Sequence, residues 1–292
     1  MSPSEQEPAG SAAPPGSLAR AIRHVARPLV RLLLAHQITF PMLAGLLKSA
    51  FVEVAVRDFP IEGKRQTDSR IHLLTGIHRK DVRRLRGQGA ERHTAPPSVS
   101  LGAQLVARWT GMAAYQDAEG RPRPLPRSAE SGNRPSFDDL VAAVSTDIRA
   151  RAVLDEWLRL GVATLDAEDR VCLSAEGFVP SRGFDEKAFY FGRSVHDHIA
   201  ASAHNLSGGS PPLFDRSAHY GGLTSESVAD LSKLAARVGT EALQAINRRA
   251  LELQKRDEGK RAAHLRIDLG IFFYQADAAE EERIDEAEDE HA

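Results

Sequence analysis

Residues 68–86, DSRIHLLTGIHRKDVRRLR, read as two short helices joined at Gly76, the second carrying almost only positive charge. Ile71 and Leu74 give the first helix an apolar face, while Ile77, Val82 and Leu85 give the second a side to bury. Gly76 supplies a turn that a residue with a Cβ would strain. Burying the apolar side leaves Arg79, Lys80, Arg83, Arg84 and Arg86 facing outward, with Asp81 the only acid among them. A guanidinium is a planar fork of donors that matches phosphate oxygens and the major-groove edge of guanine, so this face suits DNA.

Counted from Asp68, Gly falls at the ninth position and apolar residues at the tenth, fifteenth and eighteenth, namely Gly76, Ile77, Val82 and Leu85, with Ser69 near the start. This spacing resembles the helix-turn-helix of bacterial transcription regulators. It departs from it at His72, where the family has a small residue that lets the helices cross closely; His72 either tilts the pair or turns outward. The resemblance implies a recognition helix over residues 78–86, with Lys80 and Arg83 nearest the bases and Arg79, Arg84 and Arg86 on phosphates. Ser69 either caps the first helix or donates to phosphate, and His78 either donates to phosphate or is a plain surface histidine.

The charge distribution agrees with this reading. Net charge is only -2, yet residues 18–93 hold fifteen Lys or Arg against six Asp or Glu, and residues 277–290 hold nine acids against Arg283. The first region has the footprint of a polyanion binder, and the second reads as a disordered acidic tail, residues 277–292. Residues 1–17, rich in Pro, Ser, Ala and Gly, read as a disordered leader. From Leu18 an amphipathic basic helix sets Ile22, Val25, Leu29 and Leu32 against Arg20, Arg23, Arg27 and Arg31. A transit peptide or a membrane-surface helix has this composition too. The apolar pattern, however, continues through Phe40, Leu43, Leu46, Leu47, Phe51 and Val54, so residues 18–95 are expected to form one basic helix-turn-helix domain with these residues as core.

Residues 98–180 repeat the logic. A helix using Leu101, Leu105, Val106 and Trp109 precedes a connector, residues 111–135. The connector contains Gly120-Arg121-Pro122-Arg123-Pro124, in which Arg121 and Arg123 are candidates for minor-groove or phosphate contacts. Ser136 then caps a helix using Phe137, Leu140, Val141 and Val144. A second helix with Val153, Leu154, Trp157, Leu158 and Leu160 ends at Gly161, and a hairpin turns at residues 166–169. Helix, helix, glycine and hairpin resembles the winged-helix units of bacterial regulators. Asp147, Asp155, Glu156, Asp166, Glu168 and Asp169 make this copy a poorer DNA reader than the first, suited to packing or protein contact.

Residues 184–276 read as a C-terminal helical region for association or regulation. A helix using Phe184, Phe191, Val195 and Ile199 precedes a Gly, Ser and Pro loop at 207–212. A long helix follows Thr224, with Val228, Leu231, Leu234, Val238, Ala242, Ile246 and Leu253 in one stripe. The run LRIDLGIFFYQAD, residues 265–277, is the most strand-like in the chain and needs a partner: its own copy across a dimer, or the wing.

Several chemistries find little support. Walker, dinucleotide and nucleophile-elbow motifs are missing, and His196, His198 and His204 point to different faces of one helix with no carboxylate to complete a metal set. The single Cys172 excludes an internal disulfide and a thiolate zinc site. Charged residues interrupt the apolar stretch from Ile22 to Val56 before it reaches a membrane span of about 20 residues. The expectation is a mainly α protein of tandem helix-turn-helix and winged-helix units with one late β-strand, similar to an uncharacterised bacterial family of regulators. Double-stranded DNA is the expected partner, with homodimerisation through 184–276, no catalytic activity, no cofactor, metal or membrane contact, and a cytoplasmic, nucleoid-associated location. The alternative is a protein-interaction module whose basic face meets an acidic partner or its own tail.

Overall fold

A computed structural model describes residues 16–88, 97–129, 135–174 and 183–277. The leader up to residue 15 and the acidic tail from residue 278 lie outside them. The chain divides into two compact units, Met1–His93 and Thr94–Ala292.

The first unit contains α1 (Gly16–Ala35), α2 (Phe40–Asp58), α3 (Asp68–Thr75) and α4 (Arg79–Gln88). Helices α2, α3 and α4 pack on one another in all three pairings. Their core is Val52, Ala55, Ile71 and Val82, with Val56, Ile77 and Leu85 packed around it. The expected anchors Ile71, Ile77, Val82 and Leu85 therefore do face inward. Leu74 does not; it is exposed.

The sequence pattern misplaced the buried face of α2. Phe40, Leu46, Leu47, Phe51 and Val54 are exposed, whereas Val52 and Ala55 are buried. This helix is apolar nearly all round, so its periodicity cannot choose a face, and the packing of α3 and α4 chooses for it. Helix α1 is not core either. It has no buried residue, and Ile22 and Val25 are more than half exposed.

The second unit begins with α5 (Pro97–Gly111) and continues through α6 (Phe137–Ala142), α7 (Ala150–Leu160), β1 (Ala163–Leu165) and β2 (Val171–Leu173). Ser136 starts α6 with a reciprocal capping box. Its hydroxyl accepts from the Asp139 N–H, while the Asp139 carboxylate accepts from the Ser136 N–H at 2.8 Å. Gly161 ends α7 in the left-handed region at φ 71°. The strands pair antiparallel with Thr164 opposite Cys172. Trp109, Phe137 and Trp157 fill the centre with their rings stacked or tilted at 5.7–6.3 Å, and Leu105, Leu125, Leu140 and Val171 are fully buried beside them.

Residues 111–129 are more than a connector. Tyr115 and Leu125 are buried, and the Trp109 indole N–H donates to the Arg123 carbonyl at 3.0 Å. Leu125 and Val171 exchange N–H···O bonds of 2.9 and 2.7 Å, so the segment lies along β2 as a one-residue third strand.

Helices α8 (Phe184–Leu206) and α9 (Ser225–Asp257) complete the unit. Thr224 caps α9 by accepting from the Ser227 N–H. Asn247 fixes α9 to α5: its side-chain nitrogen donates to the Ala107 carbonyl and to the Thr110 hydroxyl, both at 2.9 Å.

The late strand is not formed. Residues 265–277 belong to no sheet, and among the described residues no hydrogen bond reaches the backbone of 265–276. Instead the chain alternates between two helices. Arg266, Asp268 and Phe272 meet Asp197, Arg193 and His198 of α8, while Ile271 approaches Gly239 of α9. The segment also closes one side of a cavity of about 410 Å³ with Val106, Trp157, Tyr190 and Ile246 in its walls.

Candidate nucleic-acid interface

Thr67 starts α3: its hydroxyl accepts from the Arg70 N–H at 3.3 Å. The cap is thus Thr67 and not Ser69, which sits one residue inside the first turn. At the other end Gly76 has φ 69°, and its N–H donates to the His72 carbonyl at 2.8 Å. The turn is stitched by side chains too. Thr75 donates to the Ile71 carbonyl at 2.7 Å and accepts from the Ile77 N–H, and His72 Nδ1 lies 2.8 Å from the Ile77 carbonyl. His72 is therefore not turned fully outward; it ties the turn to α3.

His78 precedes α4 and accepts from the Lys80 N–H through Nδ1 at 3.2 Å, the position of a helix cap. Within α4, Val82 is fully buried, and Arg79, Lys80, Arg83 and Arg84 lie exposed on the opposite side, three and four residues apart along one face. Among the described residues the Lys80 ammonium makes no hydrogen bond or ion pair. Arg79 reaches the Ser69 hydroxyl at 3.5 Å. Arg83 is 86% exposed and 3.9 Å from Asp68; Arg84 is 3.7 Å from Asp81.

Arg86 is held differently. It is two-thirds covered and bonded to Asp68 at the start of α3, so its guanidinium joins the two helices. Lys48 on α2 lies 3.5 Å from Asp81, which draws that acid toward the scaffold.

Reading the sequence missed two residues that shape this face. Gln66 donates to the carbonyls of Ala55 and Phe59 at 3.1 and 2.9 Å and accepts from Arg70 Nε at 3.0 Å. Arg70 in turn donates to the Phe59 carbonyl, so the pair latches the end of α2 to the start of α3. Asp68 is the other, setting which arginines are tied down. No spacing rule points to Gln66; Asp68 could have been found as an acid placed to meet the end of the next helix.

The remaining candidates, Arg121 and Arg123, are engaged within the second unit. Arg121 bonds to Asp117 and Glu119 at 3.2 Å each. Backbone bonding from Arg121, reinforced by its guanidinium, holds the Asp117 carboxyl below its ordinary range. Arg123 donates to the carbonyls of Ala114 and Pro135. On the hairpin, Arg170 is paired with Asp166 and Glu168, and Arg127 with Asp169.

His196, His198 and His204 are spread apart, bonded to Asp197, Asp215 and the Pro211 carbonyl respectively. Among the described residues no group of three or more His, Cys, Asp or Glu side chains is placed to hold a metal ion. Burial raises the pKa of the half-buried Cys172 thiol. No described helix is long and apolar enough to cross a membrane.

Residues 16–281 match the family of unknown function DUF6502, so the chain belongs to that family. No curated protein and no solved structure matches it.

Proposed function

We propose that this chain is a sequence-specific DNA-binding transcription regulator in which α4 is the recognition helix. The observation that carries the reading is the basic face of α4. Four long cations, Arg79, Lys80, Arg83 and Arg84, stand exposed on one side of a ten-residue helix whose other side is anchored by Val82. A left-handed glycine turn sets that helix against α3, the arrangement by which a helix-turn-helix offers its second helix to the major groove. Lys80 and Arg83 are assigned to base edges, and Arg79 and Arg84 to phosphates.

The second unit has the order helix, bridging strand, two helices, hairpin, which supports a winged-helix reading of residues 98–180. Its hairpin cations are neutralised by neighbouring acids, which favours packing or protein contact for this copy. The second reading of the whole chain, a protein-interaction module without nucleic acid, rests on that acidic hairpin, where Asp166, Glu168 and Asp169 outnumber Arg170.

Selection of bound sequences from a random duplex pool at near-physiological salt tests the proposal, comparing wild type with an Arg83→Ala, Arg84→Ala double variant. An enriched motif that the variant loses supports it. No enrichment, with the variant equal to wild type, rejects it in favour of the interaction module.

A further inference from the structure

Helices α8 and α9 are both amphipathic, yet neither has a buried residue. Between residues 184 and 274, twenty large apolar side chains are at least 36% exposed, among them Phe214 at 80%, Leu265 at 87% and Tyr274 at 72%. Summed at roughly 100 Å² each, these side chains carry on the order of 2,000 Å² of exposed apolar area across the two helices, the loop between them and the last segment. An obligate homodimer buries about 2,000–5,000 Å² in total, so the surface has the size of one protomer's half.

The segment at 265–277 indicates how the halves meet. Among the described residues no hydrogen bond reaches the backbone of 265–276, although Arg266 and Asp268 hold it in place on α8. A stretch of backbone held in place with its hydrogen-bonding groups unpaired is a template for a strand from another chain. Residues 265, 267, 269, 271 and 273 are Leu, Ile, Leu, Ile and Phe. This alternation matches its own reverse. Antiparallel pairing with a second copy would set Leu265 opposite Phe273, Ile267 opposite Ile271 and Leu269 opposite Leu269, as a two-fold axis requires.

We infer that the surface formed by residues 184–277 is the interface between two copies of this chain, with residues 265–273 of each paired antiparallel at its centre. The inference is independent of DNA binding.

Sedimentation of the full chain at micromolar concentration should give twice its 31.8 kDa mass. An Ile267→Asp, Phe273→Asp variant should sediment as a monomer while keeping its helical circular dichroism. In a Cys172→Ser background, Leu269→Cys should form an intermolecular disulfide on mild oxidation, because facing residues of an antiparallel pair lie about 4.5–5.5 Å apart between Cα atoms. A monomeric wild type overturns the inference, and so does a dimer that survives the double substitution. If that variant fails to fold, the Leu269→Cys crosslink decides, and its absence counts against the pairing.

Discussion

Arg266 sets its two terminal guanidinium nitrogens against the two carboxylate oxygens of Asp197, at 2.6 and 2.7 Å. Arg193 and Asp268 repeat the bond with the charges exchanged, at 2.8 Å. As α8 advances from 193 to 197 the segment retreats from 268 to 266, so it runs antiparallel to the helix. A slip of two residues that brought Arg266 to Arg193 would oppose like charges, so the crossed pairs fix register as well as attachment.

The pH dependence of this attachment follows from its sign. Arg266, with His196, holds Asp197 well below the ordinary carboxylate range. A depressed folded pKa gives stability that is complete above the unfolded value, about 3.9, and lost as pH falls through the folded one. Thermal unfolding of wild type and Asp197→Asn should therefore differ near neutral pH, with the gap narrowing below about pH 4. A gap that stays constant through acid would show that the pair does not form in solution.

Gly76 should tolerate no ordinary side chain without loss. A Cβ there meets nothing within 4 Å, so the cost of Gly76→Ala comes from its φ of +69° alone. About 1–2 kcal/mol is expected, with Gly76→Asn less affected, in denaturant unfolding of the two variants. An alanine variant as stable as wild type would contradict a left-handed turn.

Asp68 restrains the proposed DNA face. Asp68→Ala frees Arg86 and Arg83 at a cost within about 1 kcal/mol, because the pairs are partly exposed. On the DNA reading, duplex affinity measured by fluorescence anisotropy at low salt should rise several-fold. Weaker binding would mean that the Arg86 link orders α4 more than its acid repels phosphate.

The same titration yields a salt slope. If Arg79 and Arg84 each neutralise a phosphate, replacing both with alanine should lower the slope of log affinity against log salt by about 2. An unchanged slope would remove both from the contact set.

Leu125 lies in a stretch that reads as a connector yet is fully buried against Val171. Leu125→Ala should destabilise the protein by about 2–5 kcal/mol in chemical unfolding, the range for a core leucine. A loss below about 1 kcal/mol would show that the bridge contributes little.

These cases also mark what the sequence could convey. Val82 and Trp157 were legible because each sits on a helix with one apolar side, and Ser136 and Gly161 because capping chemistry is local. Leu125 was not, since a single buried residue among Arg and Pro has no period to reveal it. Helix α2 failed for the opposite reason: with apolar residues on every side, Phe51 and Val52 look alike, and only α3 and α4 distinguish them. The strand expected at 265–277 has the composition of one, but pairing is a property of two segments, and the second is not legible in the first. At the candidate site the outward arginines of α4 followed from its amphipathy. Which were tied down depended on Asp68 and Asp81, whose reach is set by tertiary placement.

Asn247 carries a consequence for dissecting the protein. Its amide reaches across 140 residues to the Ala107 carbonyl and also meets the Thr110 hydroxyl, while Leu251 lies against Gly111. The end of α5 therefore borrows part of its inner lining from α9. A fragment ending near residue 180, where the sequence alone would cut, would present this lining to water and lose a share of its own cooperativity. Residues 97–277 are the smallest described piece of this unit expected to behave as it does in the whole chain.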